Sequence, residues 1–319
     1  KNLKEPEEAN SVFKINFIQK EPRKIEKPEE VKEYLCNMNY SPVKLDAYLE
    51  CPSMFYYRYV LSLRESEEVV GDMDAMGIGN VIHGVLKEYF GKFLNKSYLI
   101  SNLEDEITGI HRILDKNFNG YGGYGSKLLN LQKKQIESAL DAFIKTRRKD
   151  LYGATVIGVE YPLEADITLE CYDKCDKKIK LTGRADLILE KDGKHCIIDY
   201  KTGGTLKGPY KNFIPTAGNR QEWPKRIESF QLPFYIILYN YSKGVSYSDI
   251  EAKLWGLKKD GEYLNLKDNK ESFDSYVGAV KGLIKEIIDS DYFDFAPKEK
   301  GGDKKICGYC PYSTLCGRI

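Results

Sequence analysis

Residues 183–204 read GRADLILEKDGKHCIIDYKTGG. Two runs rich in apolar residues flank Asp192-Gly193, a dipeptide that favours a tight hairpin turn. Residues 179–191 and 194–200 are therefore expected to pair as antiparallel strands. Side chains alternate along a strand, which puts Asp199 and Lys201 on one face and Tyr200 on the other. Asp186 stands in the neighbouring run, and Asp199 follows Cys196-Ile197-Ile198. A carboxylate carried into an apolar strand is costly unless a partner or an ion meets it.

Two carboxylates and an ammonium at adjacent strand ends can hold a hard divalent cation through oxygen. The cation lowers the pKa of a bound water and neutralises charge on a phosphate, while Lys201 orients the nucleophile. An isolated D-x-K is most often an ordinary salt bridge. Here the second carboxylate on the next strand gives the motif chemical content.

Outward from this hairpin the periodicity changes. Residues 155–169 and 250–257 are rich in Val, Ile, Leu and Tyr and read as further strands. Helical spacing marks 77–150, broken by GYGGYG at 120–125, with Ile82, Leu86, Tyr89, Phe90 and Phe93 on one face. Ser101 and Glu104 form an expected capping box. Helices are also expected near 230–242 and 272–290, and from Ser41-Pro42 onward, where Leu45, Tyr48 and Leu49 form a stripe. Residues 1–40 are polar, with a short apolar alternation from Val12 to Ile18, and read as an extension or linker that could add an edge strand. The whole is an α/β fold: a mixed sheet flanked by helices, with a helical insertion.

The chain of 319 residues is 42% hydrophobic and 30% charged, enough for a sizeable core. No run approaches the ~20 apolar residues of a membrane span, and the charged N-terminus lacks the apolar core of a secretory signal, so a cytoplasmic protein is expected. Lys1 rather than Met at the start suits a piece of a longer protein. A net charge of +1 gives no global basic signature, yet a local groove and a metal need none to hold DNA. No nucleotide-binding loop of the G-x-x-x-x-G-K-[ST] kind occurs, so no ATP motor is expected in these residues.

Cys307, Cys310 and Cys316 crowd the end of the chain, far from Cys51. Without an export signal, such clustering favours metal over disulfides. Thiolates so placed could hold zinc, though zinc sites come more often as two close pairs. A metal held there would staple the two ends of the chain. Cys171 and Cys175 read as a hairpin loop. Of the three histidines, His83 lies on a helical face, while His111 and His195 have no motif around them. Glu160 is a weaker acidic candidate, otherwise a solvated strand residue.

Together these blocks resemble the RecB/AddB branch of the PD-(D/E)XK nucleases. The branch carries G-x-x-D, matched by Gly183 to Asp186, then D-Y-K-T-G, matched by Asp199 to Gly203, then Q-x-x-x-Y, matched by Gln231 and Tyr235. Its earlier helix has a Gly before a metal-binding His, as Gly79 precedes His83. Its N-terminal Leu-x2-Tyr-x2-Cys-Pro-x2-Phe is matched by Leu45, Tyr48, Cys51, Pro52 and Phe55. The resemblance covers residues 41–319, with a helical part at 77–150, a catalytic core at 155–260 and a cysteine tail at 300–319.

The resemblance implies a restriction-endonuclease-like fold and a metal-dependent deoxyribonuclease. Asp186, Asp199 and Lys201 would be catalytic, and His83, Asp186 and Asp199 would bind Mg2+ or Mn2+. Gln231 and Tyr235 would support the site and the bound strand. Cys51, Cys307, Cys310 and Cys316 would hold a [4Fe–4S] cluster. Expected partners are DNA, as single-stranded ends cut by an exonuclease, and a helicase subunit or domain in a DNA repair complex. Two other roles stay open: a stand-alone or CRISPR-associated RecB-like nuclease, and a catalytically silent DNA-binding or scaffold module. The long 77–150 segment argues against the first, and the intact Asp186, Asp199 and Lys201 against the second.

Overall fold

The computed structural model describes residues 24–64, 74–118, 127–170, 176–203, 205–210, 213–257, 263–267, 270–294 and 307–317. The alternation at 12–18, the Gly/Tyr loop at 120–125 and the Cys171–Cys175 loop lie outside these residues. In chain order the first elements are β1 (Ile25–Glu26), α1 (Glu29–Cys36), α2 (Pro42–Glu50) and α3 (Pro52–Phe55), which runs into a π-helical turn at Tyr56–Val60. Three longer helices follow: α4 (Ala75–Gly91), α5 (Leu103–Phe118) and α6 (Lys127–Leu151). Next come β2 (Thr155–Glu170), β3 (Asp176–Lys191), β4 (Lys194–Lys201), α7 (Trp223–Arg226) and α8 (Gln231–Lys243). The chain continues through β5 (Ile250–Gly256), β6 (Tyr263–Lys267), α9 (Lys270–Asp289) and β7 (Tyr292–Phe293).

Five strands form one sheet in the order β2-β3-β4-β5-β6. Only β4 and β5 run parallel, because α8 carries the chain back between them; the other pairs are antiparallel. The β3–β4 hairpin closes at Asp192 and Gly193, both at positive φ (54° and 76°), as the sequence predicts. The sheet is buried on both faces. Ile197 packs into a core with Leu45, Phe234, Ile237 and Leu283, from α2, α8 and α9. Its neighbour Ile198 packs the other way, with Leu86, Phe90, Leu114 and Ile144 of α4, α5 and α6. The expected helical insertion thus covers one face of the sheet and the remaining helices cover the other.

Two caps differ from expectation. Asn102 rather than Ser101 starts α5, its Oδ1 accepting the Glu104 N–H at 3.0 Å. Pro42 opens α2 as predicted, but Ser41 makes no side-chain cap. Within the stretch read as an extension, residues 24–40 pack into the body of the protein. Leu35, Met38 and Tyr40 are buried in the larger core, and β1 pairs antiparallel with β7. The start and end of the described chain therefore meet at one edge. No helix among the described residues is long and apolar enough to cross a membrane.

Candidate active site

Asp186 on β3 and Asp199 on β4 are both buried, 7% and 8% exposed. Asp186 is fixed by backbone: the Tyr200 N–H donates to its Oδ2 at 2.6 Å. Its other oxygen lies 3.4 Å from His83 Nδ1, on the helix that crosses above the sheet. That helix comes close because residue 79 is glycine; a Cβ there would stand 3.0 Å from Thr202 Oγ1. Asp74 caps the same helix, its side chain accepting the Gly77 N–H at 2.7 Å.

Asp199 is held from the opposite side. Gln231 Nε2 donates to Asp199 Oδ1 at 2.5 Å, and the Tyr235 hydroxyl lies 3.3 Å from the same oxygen. Tyr235 also donates to the Arg184 carbonyl at 2.9 Å. Gln231 and Tyr235 sit one helical turn apart on α8, so both reach the same carboxylate. Gly183 admits that helix face: a Cβ there would stand 2.9 Å from Leu238 Cδ2 and 3.3 Å from Tyr235 Cε1. The second oxygen of Asp199 faces Lys201 Nζ at 2.7 Å. Apart from Lys201, no donor among the described residues reaches the buried Oδ2.

Glu160 joins the group. It falls between the pairs Val159–Leu187 and Tyr161–Ala185, opposite Asp186. Its Oε1 is 3.9 Å from His83 Nδ1, and its Oε2 pairs with Arg184 Nε at 3.0 Å. Ligand atoms of His83, Glu160 and Asp186 all lie within 4.8 Å of one another, a spacing that one metal ion can span. The sequence marks Glu160 only as a weaker acidic candidate, and the fold places it beside His83 and Asp186.

The electrostatics show unbalanced negative charge. Burial pushes the Asp199 carboxyl above its usual range against the pull of Lys201, and Asp186 pushes the same way. Burial opposes a proton on His83, yet its hydrogen bond to Asp186 and the Asp186, Asp199 and Glu160 carboxylates outweigh burial and raise its pKa. Two carboxylates within 4.8 Å of His83, with Asp199 on the next strand, suit a divalent cation with His83 as a neutral nitrogen ligand. The donor set fits Mg2+ or Mn2+.

His111 and His195 take ordinary partners elsewhere, Asp141 at 2.7 Å and the Tyr239 hydroxyl at 3.0 Å. Cys51 is buried at the end of α2, in a small cluster with Ala47, Met54 and Tyr312, and Cys310 packs against it. Burial pushes the Cys316 thiol up to about 11, and Cys51, Cys310 and Cys307 add to the effect. Cys310 thus packs beside Cys51, with Cys307 and Cys316 near enough to influence these thiols, while the metal-spaced group among the described residues is His83, Glu160 and Asp186.

The sequence matches the family model of the PD-(D/E)XK nuclease superfamily over residues 39–317. The chain belongs to that superfamily. Its mixed sheet flanked by helices is consistent with the fold of that superfamily. It is similar to an ATP-dependent helicase/deoxyribonuclease subunit of Clostridium acetobutylicum, 23% identical over 97% of this chain and 32% of that protein. It is also similar to the protein of the same name from Carboxydothermus hydrogenoformans, 25% identical over 57% of this chain and 18% of that one. An uncharacterised protein of Rickettsia felis is 28% identical over 51% of the chain and 18% of its own length. The chain thus spans a third or less of the curated relatives it matches.

Proposed function

We propose that this chain is a metal-dependent DNA nuclease whose catalytic residues are Asp186, Asp199 and Lys201. The observation that carries the reading is the convergence of His83, Glu160 and Asp186 within 4.8 Å, with the Asp199–Lys201 pair on the adjoining strand. His83, Asp186 and Asp199 would hold Mg2+ or Mn2+, with Glu160 as a further carboxylate. The bound cation supplies a water of lowered pKa and offsets charge on the scissile phosphate.

The chain's own groups do the rest. The Tyr200 N–H fixes Asp186, while Gln231 and Tyr235 hold Asp199 by one oxygen and leave the other facing Lys201. Lys201, partly exposed, is placed to stabilise the attacking oxygen and to contact the phosphate. Arg184, mostly exposed beside Glu160, adds positive charge at the rim.

The substrate is proposed to be the end of a single DNA strand, cut as by an exonuclease. The partner is proposed to be a helicase subunit or domain in DNA repair, as the names of the two helicase/deoxyribonuclease relatives suggest. The four cysteines are assigned to a [4Fe–4S] cluster that staples the chain. Their grouping beside Cys51 supports a shared metal group. End-labelled single- and double-stranded DNA incubated with Mg2+, Mn2+ or chelator tests the reading: cleavage from single-stranded ends, abolished by chelator, is expected. DNA left intact with either metal would defeat it.

A further inference from the structure

Asp46 lies on α2, five residues before Cys51, and reaches across to the start of α8. Its Oδ2 accepts the Ser229 hydroxyl at 2.7 Å, and its Oδ1 accepts the Phe230 N–H at 2.7 Å. The Ser229 oxygen in turn accepts the Gln231 N–H at 3.1 Å. Gln231 then donates to Asp199 at 2.5 Å. Hydrogen bonds thus run from Asp46 through Ser229 and the first residue of α8 to a catalytic carboxylate.

Phe230 occupies the cap position of α8, makes no side-chain cap and is fully buried, so the local acceptor is the Ser229 hydroxyl just before it. A Ser, Asp or Asn there would cap the helix locally. A carboxylate on another helix holds the Ser229 hydroxyl and the Phe230 N–H at the positive end of the α8 dipole. Burial pushes the Asp46 carboxyl up to about 6, against the pull of the Phe230 N–H and the Ser229 hydroxyl. The contact ties α2 to the start of α8 through two hydrogen bonds to one carboxylate. The Gln231 amide follows directly from the residues that Asp46 holds.

We propose that Asp46 is a positioning residue: by fixing the first turn of α8 from α2, it aims the Gln231 amide at Asp199. The inference rests on the nuclease reading of the site. It also makes the cysteine-bearing N-terminal helices part of the active-site support, since Cys51 directly follows the helix that carries Asp46.

The test is a double-mutant cycle on labelled single-stranded DNA in Mn2+, with Asp46→Ala, Gln231→Ala and the pair. Asp46→Ala should lower kcat about tenfold, as small misplacements of catalytic groups do, with KM unchanged within about twofold. The pair should be no slower than Gln231→Ala alone, and Asp46→Asn, which keeps an acceptor for the Phe230 N–H, should recover most of the rate. Losses that multiply, or an Asp46→Ala protein with a lower melting temperature and full kcat, would overturn the proposal. If Asp46→Ala does not fold, Ser229→Ala breaks the same link by removing only a hydroxyl and enters the same cycle. A second readout needs no activity: the side-chain amide resonance of Gln231 in 15N-glutamine-labelled protein should shift in Asp46→Ala and far less in Asp46→Asn. An unmoved resonance overturns the positioning role. Wild-type protein that cuts no DNA would defeat the nuclease reading and leave this resonance to decide the role of Asp46.

Discussion

The Tyr200 backbone N–H and the Asp186 carboxylate are joined by a 2.6 Å hydrogen bond across the β3–β4 pair. The residue after one proposed metal ligand therefore holds the other, and the two carboxylates move as one unit. The bond also uses one oxygen of Asp186 and leaves its partner oxygen toward His83, at 3.4 Å. Asp186→Asn keeps an acceptor for the Tyr200 N–H but loses the charge, so it should leave the melting temperature nearly unchanged and abolish cleavage. Asp186→Ala orphans a buried N–H and should cost about 1–3 kcal/mol as well. Paired melting and cleavage measurements check this; equal melting temperatures for the Ala and Asn variants would break the argument.

His83 and Glu160 are expected to act on the cation rather than on the fold. His83→Ala should raise the Mn2+ concentration needed for half-maximal cleavage about tenfold or more, and excess Mn2+ should restore part of the rate. Glu160→Gln should move the same titration in the same direction, because its carboxylate lies beside His83 at 3.9 Å. A metal titration identical to wild type would return either residue to a packing role.

The proposed cysteine staple would join positions 51 and 307. By the loop-closure argument used for disulfides, so long a crosslink contributes ~5 kcal/mol or less. Protein purified without oxygen should contain iron and acid-labile sulfide. Cys316→Ser should lose both and melt several degrees lower, with cleavage reduced only through the fold. Stoichiometric zinc without sulfide would contradict the cluster and keep the staple.

Lys27 gives a pH-dependent stability. Its ammonium is buried between α9 and β7, donating to the Ile287 carbonyl at 2.8 Å and lying 4.2 Å from the Phe293 ring. Burial lowers its pKa to about 8, only partly offset by Glu286. The unfolded chain keeps the ordinary lysine value, so between about pH 8 and 10.5 the unfolded state binds more protons and stability rises with pH. Below pH 8 the full penalty of holding the charge applies. Discounted for residual solvent access, it amounts to roughly 1–2 kcal/mol. Wild type should therefore gain on Lys27→Met as pH rises through that window, by a few degrees in melting temperature. A difference that stays flat, or moves toward the variant, would contradict the burial argument.

The hairpin, the Asp199–Lys201 alternation and the Gln231–Tyr235 turn were legible in the sequence because each depends on local geometry alone. Glu160 was not, for a local reason. The β2–β3 register shifts between Val156 and Gly158, and Glu160 itself adopts a left-handed backbone with φ 48°. A bulge exchanges the two faces of a strand, so simple alternation assigns a residue beyond it to the wrong side. β6 and the two-residue ladder of β1 with β7 are too short to carry a periodic signal. The bond from Asp46 to Phe230 spans 184 positions and has no local signature at all. Packing of the N-terminal residues had the same limit: Leu35 and Tyr40 are fully buried, yet their surrounding sequence is polar.

Central to the account is that Asp199 binds the cation that cuts DNA. Purified Asp199→Ala and wild type should be compared on end-labelled single-stranded DNA across a Mn2+ series, with DNA affinity measured in parallel. The account predicts wild-type cleavage that chelator abolishes and, for the variant, a rate at least about a thousandfold lower at every Mn2+ concentration, with DNA affinity and folding largely intact. Degradation by Asp199→Ala at the wild-type rate would contradict it.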